Sequence, residues 1–344
     1  MSEKKPLLEI QDIYTQFFTE SGVVEALDGV SFDVNAGEPV GIVGESGCGK
    51  TVTGHSILRI LPKNGKTIKG KIIYKGINLL NLTHNQMRSI RGKEIAMIFQ
   101  DPMTSLNPIF KVDDQMTEVI SLHRKVNKKE ALEIAIEMLE SVGLSDADKR
   151  IHDYPHQFSG GMRQRILIAR ALALQPSLLI ADEPTTALDV TIQAQVLEII
   201  KEMQKKLGLA MMLITHNLGV VAEITKRVHI FYGGRVVESG PTEDVFINPQ
   251  HPYTRALFDS IPSIEKDKTR LETIPGNVPR LINPPKGCRF HPRCKYATEI
   301  CSRERPEDVW LGPKRRVACH HYEELDLDVD EKTIRERVKI KEEV

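Results

Sequence analysis

The stretch GESGCGKT at residues 44–51 has the residue types and spacing of a phosphate-binding loop: a glycine, four residues, then Gly-Lys-Thr. Gly44, Gly47 and Gly49 let the backbone wrap closely, so that N–H groups along Glu45, Ser46 and Cys48 can point at phosphate oxygens. Lys50 can reach the β- and γ-phosphates, and the Thr51 hydroxyl can ligate Mg²⁺. A second stretch, LLIADEP at 178–184, reads as a buried strand ending in two acids. Alone, such a pair more often caps a helix. Beside a phosphate loop, Asp182 suits the Mg²⁺ shell and Glu183 suits a general base toward water at the γ-phosphate. In FSGGMRQRILIARAL (158–172), Ser159, Gly160 and Gly161 open a basic helix and form another anion cradle. Cys48 reads first as a small loop filler. A thiol near a helix N-terminus can also be reactive, so alkylation is expected to impair hydrolysis, with ATP protecting.

These residues need a frame that places strand ends beside helix starts. PVGIVG (39–44), IAMIFQ (95–100), LLIAD (178–182) and AMMLIT (210–215) are apolar without period-two alternation, which predicts parallel strands covered on both faces. Helices are predicted over 128–144 and 191–208. Composition shifts after about residue 247, where prolines thicken and apolar periodicity fades. The 344 residues allow two domains or one with an extension. Lys plus Arg equals Asp plus Glu at 47 each, which gives no overall pull toward nucleic acid. The N-terminus lacks a signal-peptide core and no apolar run reaches 18 residues, so a soluble, cytoplasmic chain is expected.

With these motifs in order, residues 7–245 resemble the ATP-binding cassette family. Its signature, usually Leu-Ser-Gly-Gly-Gln, stands here as FSGGM, with Phe158 and Met162 as departures. The resemblance implies an α/β P-loop ATPase, a RecA-like core with a β-subdomain and a helical subdomain inserted at about 102–175. It implies head-to-tail dimers in which each signature caps ATP held by the other subunit's loop. It assigns Gln100 to sensing Mg²⁺ and attacking water, Asp189 of TALD (186–189) to the dimer-crossing loop, and His216 to the γ-phosphate. Phe17 aligns best with the aromatic that stacks on adenine, with Phe18 and Tyr14 close by.

QDPMTSLNP (100–108), NPQHPYTRALFDSIP (248–262) and PGNVPRLINPPKGCRFHPRC (275–294) resemble the D-type ATPase subunits of dipeptide and oligopeptide permeases. This implies a cassette at 1–247, a peptide-transporter-type extension at 248–325 and a charged tail at 326–344. It also implies a second, related ATPase, two integral membrane permeases, an indirect peptide-binding protein and a place on the cytoplasmic face of the membrane. The alternatives are an importer ATPase for nickel or another small solute, a non-transport cassette protein of DNA repair or translation, and a non-catalytic ATP sensor. The zero net charge and lack of heptads weigh against the second, and Glu183 weighs against the third.

Four of the five cysteines fall within residues 288–319: Cys288, Cys294, Cys301 and Cys319. A reducing compartment disfavours disulfides. The gaps are wider than the tight Cys pairs of structural zinc. Four thiolates suit a [4Fe–4S] cluster, although the spacing is not a ferredoxin pattern. Zinc, with His291, His320 or His321 as substitute ligands, and free thiols remain the alternatives. A metal staple would order an extension poor in core residues.

Overall fold

The structure is a computed structural model describing residues 5–101, 105–186, 188–260, 274–325 and 327. The chain falls into two compact units: Met1–Asn35, Pro39–Leu80 and Leu213–Val344 form the first, and Ala36–Glu38 with Asn81–Met212 form the second.

The first unit holds an antiparallel sheet in the order β2-β1-β4-β5, made of β1 (Leu8–Thr19), β2 (Gly22–Val34), β4 (Gly65–Tyr74) and β5 (Ile77–Asn78). Alternating burial along β2 reflects one covered face. A second set of strands runs β11-β12-β10-β9-β3, from β3 (Pro39–Val43), β9 (Arg227–Tyr232), β10 (Arg235–Pro241), β11 (Val309–Gly312) and β12 (Arg315–Val317). β3 and β9 pair in parallel and every residue of both is buried, as the unbroken apolar run of β3 predicts; in β9 the buried residues include Arg227 and His229. The helices are α1 (Lys50–Leu58), α8 (Leu218–Ile224), α9 (Thr242–Ile247), α10 (Pro252–Asp259) and α11 (Glu299–Arg303). One core cluster joins Val43, Ile230 and Tyr232 to Phe246, Tyr253, Phe258 and Phe290, so residues after 247 bury their rings with the strand carrying the phosphate loop. Buried Glu238 of β10 ties the start of α10 to the strands by accepting the N–H groups of Gln250 (2.8 Å) and His251 (3.0 Å).

The second unit pairs β6 (Ile95–Ile98) with β7 (Leu178–Asp182) in parallel, Ile95 opposite Leu178 and Ile98 opposite Ala181. Its helices are α2 (His84–Ile90), α3 (Val112–Arg124), α4 (Lys128–Ser141), α5 (Ala147–Arg150), α6 (Gly160–Leu172) and α7 (Val190–Leu207). Capping boxes start α2 (Thr83 with Gln86) and α4 (Asn127 with Glu130). Ala131, Ala135 and Leu139 form the buried stripe of α4 at four-residue spacing. β8 (Ala210–Thr215) begins in this unit and ends in the first.

The predicted strands and helices stand within a few residues of their expected limits. The extension, expected to be small and loop-rich, also carries short strands: β12 adds antiparallel to β10, with Glu238 opposite Val317 and Ser239 opposite Arg316. Strands of three and four residues are too short to carry a legible period. The charged tail at 326–344 lies outside the described residues, apart from buried Leu327.

Candidate functional site

The phosphate loop leaves β3 and enters α1. Gly44 has φ 157° and Gly49 φ 103°, and Gly47 lies at 79°, all outside the range an L side chain favours. A Cβ on Gly44 would collide with the Phe231 carbonyl and crowd the Cys48 sulfur, so the glycine is required by close approach. The Lys50 ammonium donates to the carbonyls of Gly44 (2.7 Å) and Glu45 (2.9 Å). It thus sits inside the curl, where an entering phosphate would compete for it. Ser46 and Gly47 are exposed at the loop tip and Thr51 is half-buried.

Cys48 is fully buried, and burial pushes its thiol up against the opposing pull of the Lys50 ammonium. This is the geometry of the filler reading: the side chain lies beneath the loop, and the favourable helix terminus does not outweigh desolvation.

In the second unit, Asp182 ends β7 and is 1% exposed. Glu183 follows at φ 44°, a left-handed conformation uncommon for a residue with a side chain. Its carboxylate accepts from the Gln100 amide (3.0 Å) and the Thr186 hydroxyl (2.8 Å). Gln100 and Glu183, named separately from the sequence, therefore meet. Sequence reading missed the left-handed backbone at Glu183, directly after the strand.

Ser159 caps α6 by accepting the Met162 N–H at 3.4 Å. A Cβ on Gly161 would strike the Ile192 side chain of α7, and one on Gly160 would touch Leu188. The signature glycines thus let α6 pack against the start of α7, which Asp189 caps by accepting the Ile192 N–H (3.0 Å). Both departures have one explanation. The Arg150 guanidinium lies 4.5 Å over the ring of buried Phe158 and contacts the Met162 sulfur at 3.4 Å. No sequence pattern pointed to Arg150.

His216, exposed, follows β8 in the first unit. Phe17 is half-buried, with its ring against Gly65 across the strand pair. Phe18 is 51% exposed, and the Lys69 ammonium stands over the Tyr14 ring at 4.6 Å. The TALD stretch contains Ala187, and QDPMTSLNP contains 102–104, outside the described residues.

Cys288, Cys294, Cys301 and Cys319 line one small cavity, with Phe290, Tyr296 and Leu325 among its apolar walls. Burial, offset in part by a backbone hydrogen bond and reinforced by the other three thiols, pushes Cys319 up to about 12. Gly287 has no room for a Cβ against the Cys301 carbonyl, and the Cys288 N–H donates to that carbonyl at 2.9 Å. Close backbone approach therefore brings two of the thiols together. Among the described residues, however, no group of three or more His, Cys, Asp or Glu is gathered to hold a metal ion. A tetrahedral zinc at about 2.3 Å would draw its sulfurs to within about 4 Å of one another. The expected histidine substitutes are engaged elsewhere. His291 contacts the Cys288 carbonyl (2.9 Å), His320 the Glu304 carbonyl (3.0 Å), and His321 both Thr298 (2.7 Å) and Glu324 (3.0 Å).

Arginines between the cysteines hold the extension as well, a contribution not expected from the sequence. Arg289, its side chain 2% exposed, bridges Glu25 (2.6 Å) and Asp28 (2.9 Å) of β2 and donates to the Gly233 carbonyl. Burial raises the Asp28 carboxyl, but Arg235, Arg289 and Arg305 together hold it below its ordinary value.

The family model described as ABC transporter matches residues 27–186, and that for the oligopeptide/dipeptide transporter C-terminal region matches residues 237–301. A probable peptide ABC transporter ATP-binding protein of Sinorhizobium fredii is 52% identical over 93% of this chain and 96% of its own length. The dipeptide transport ATP-binding protein DppD of Bacillus subtilis is 48% identical over 91% and 94%. A solved dimer of the ATP-binding cassette MJ0796, bound to ADP and Pi, shares the fold, with TM-score 0.62 at 24% identity over 68% of this chain and 98% of that one. No described helix is long and apolar enough to cross a membrane. The chain belongs to the family of ATP-binding subunits of peptide ABC transporters.

Proposed function

We propose that this protein is the ATP-hydrolysing subunit of an importer for dipeptides and oligopeptides. Near full-length similarity to peptide-transporter ATP-binding proteins, joined to an intact phosphate loop, carries the reading. The backbone of Gly44–Thr51 and the Lys50 ammonium cradle the phosphates, and Phe17 stacks on adenine. Thr51, Gln100 and Asp182 would hold Mg²⁺, an oxygen-loving ion for which a hydroxyl, an amide and a carboxylate are fitting donors. When bound, that ion neutralises charge on the phosphoryl oxygens. Glu183 takes the proton of the attacking water while Gln100 and His216 orient it. Ser159, Gly160 and Gly161 face the nucleotide of a partner subunit in a head-to-tail pair, with Asp189 at the crossing.

The partner is a second, related ATPase. The pair docks on two integral membrane permeases at the cytoplasmic face, and a peptide-binding protein delivers substrate. The extension is a domain of its own in function, spanning 248–325 after the cassette at 1–247 with its helical subdomain at about 102–175. Its four thiols would hold an iron–sulfur cluster: the donor set is soft, no carboxylate among the described residues lines the cavity, and a multi-atom core needs sulfurs spread more widely than one ion does.

One preparation tests both parts. An affinity-tagged chain, extracted from membranes under anaerobic conditions, should co-purify with two integral membrane proteins and carry iron and acid-labile sulfide with broad visible absorbance. Recovery without membrane partners contradicts the transporter role. Colourless protein with stoichiometric zinc contradicts the cluster.

A further inference from the structure

The phosphate loop is gripped at its first variable residue by the extension. The Glu45 carboxylate accepts a two-pronged pair from Arg293, at 2.7 Å (Nη1 to Oε2) and 3.0 Å (Nη2 to Oε1). The Glu45 N–H donates to the Tyr253 hydroxyl at 2.9 Å. Both gripping side chains are immobilised. Tyr253 is fully buried in edge contact with Tyr232 (ring centroids 4.6 Å apart) and tilted against Phe290 (5.3 Å). The Arg293 side chain is 5% exposed, and its Nε donates to the Pro275 carbonyl at 2.7 Å.

The same loop residue is the one whose carbonyl receives the Lys50 ammonium. A planar fork that fixes both carboxylate oxygens fixes the orientation of that residue, which a point charge could not do. Arg293 stands in the single turn His291–Arg293 between two of the clustered cysteines, where the His291 N–H donates to the Cys288 carbonyl (3.0 Å) and the Cys294 N–H to the His291 carbonyl (3.3 Å).

We propose that Arg293 and Tyr253 are positioning residues of the phosphate loop: the extension sets the conformation of Glu45 and, through it, the loop's affinity for nucleotide. This rests on the reading of residues 44–51 as the ATP site. Both residues act through Glu45, so the effect appears in binding rather than in chemistry. With the full-length chain, MgATP affinity and steady-state hydrolysis are measured for wild type, Tyr253→Phe, Arg293→Lys, Arg293→Met, Glu45→Gln and the Glu45→Gln/Arg293→Met double variant.

Tyr253→Phe keeps the ring packing and removes only the acceptor of the Glu45 N–H, so its fold is preserved. It should raise the Kd for MgATP about threefold to tenfold and leave kcat within about twofold. Arg293→Met should raise KM about tenfold or more, with Arg293→Lys restoring part of it. The double variant should be no weaker than Arg293→Met alone, because the two side chains act as a unit. Wild-type affinity in both Tyr253→Phe and Arg293→Lys overturns the assignment, as does strict additivity in the double variant. Wild-type protein that fails to bind MgATP sinks the nucleotide-site reading itself and the assignment with it.

Discussion

Replacing Glu183 by glutamine should abolish turnover while sparing nucleotide binding. Glutamine keeps the size and one carbonyl oxygen, so the contacts from Gln100 and Thr186 can persist and the left-handed backbone at φ 44° carries an equally long side chain. What disappears is a carboxylate able to take a proton from water. Loss of a positioned general base costs about 10²–10⁴ in rate. Steady-state ATP hydrolysis should therefore drop at least about 100-fold, MgATP affinity should hold within about threefold, and the pair should accumulate as a closed, ATP-bound dimer. Turnover near the wild-type rate in that variant would remove Glu183 as the base.

The second large effect concerns stability. Arg289→Met strips a guanidinium that is 2% exposed and leaves Glu25 without its 2.6 Å partner. Glu25 is 40% exposed, so water can replace its lost partner, and Asp28 retains Arg235 at 2.7 Å. The loss is that of charged hydrogen bonds to Asp28 and the Gly233 carbonyl, about 1.5–3 kcal/mol. At about 2–4 °C per kcal/mol for a large domain, the transition of the first unit should move down by roughly 3–12 °C in scanning calorimetry. Limited proteolysis should then cut the extension first. Arg289→Lys should recover little, since an ammonium cannot bridge two carboxylates and a carbonyl in one plane. A shift below about 2 °C would show that the extension is held by other means.

Much of this was legible in the chain itself, and the reasons differ by element. The strands carrying the phosphate loop, Gln100, Asp182 and His216 are continuous apolar runs, the mark of strands covered on both faces. The loop glycines were readable because only glycine adopts φ values such as 157° at Gly44. Interactions between residues far apart in sequence were not readable. Arg150 under Phe158 and Met162, Arg289 on Glu25, and Arg293 on Glu45 are pairs whose partners are set by the fold. An arginine in a cysteine-rich stretch carries no mark of which carboxylate it will meet. The thiols drew attention as the stabilising element, whereas the described contacts assign much of that task to the guanidiniums between them.

Cys48 offered two readings, a loop filler and a reactive thiol at a helix start; the side chain is fully buried, and desolvation raises its thiol, which favours the filler. Sequence gives the position of a thiol relative to a helix and says nothing of which way it faces.

The central claim is that ATP hydrolysis at this chain's phosphate loop drives peptide uptake. Its most direct test is uptake of a labelled dipeptide into proteoliposomes rebuilt from the complete complex, with the binding protein outside and MgATP sealed within. Accumulation should require hydrolysable ATP and should vanish when Glu183→Gln replaces the wild-type subunit. Uptake that persists with Glu183→Gln, or that proceeds equally without ATP, would contradict it.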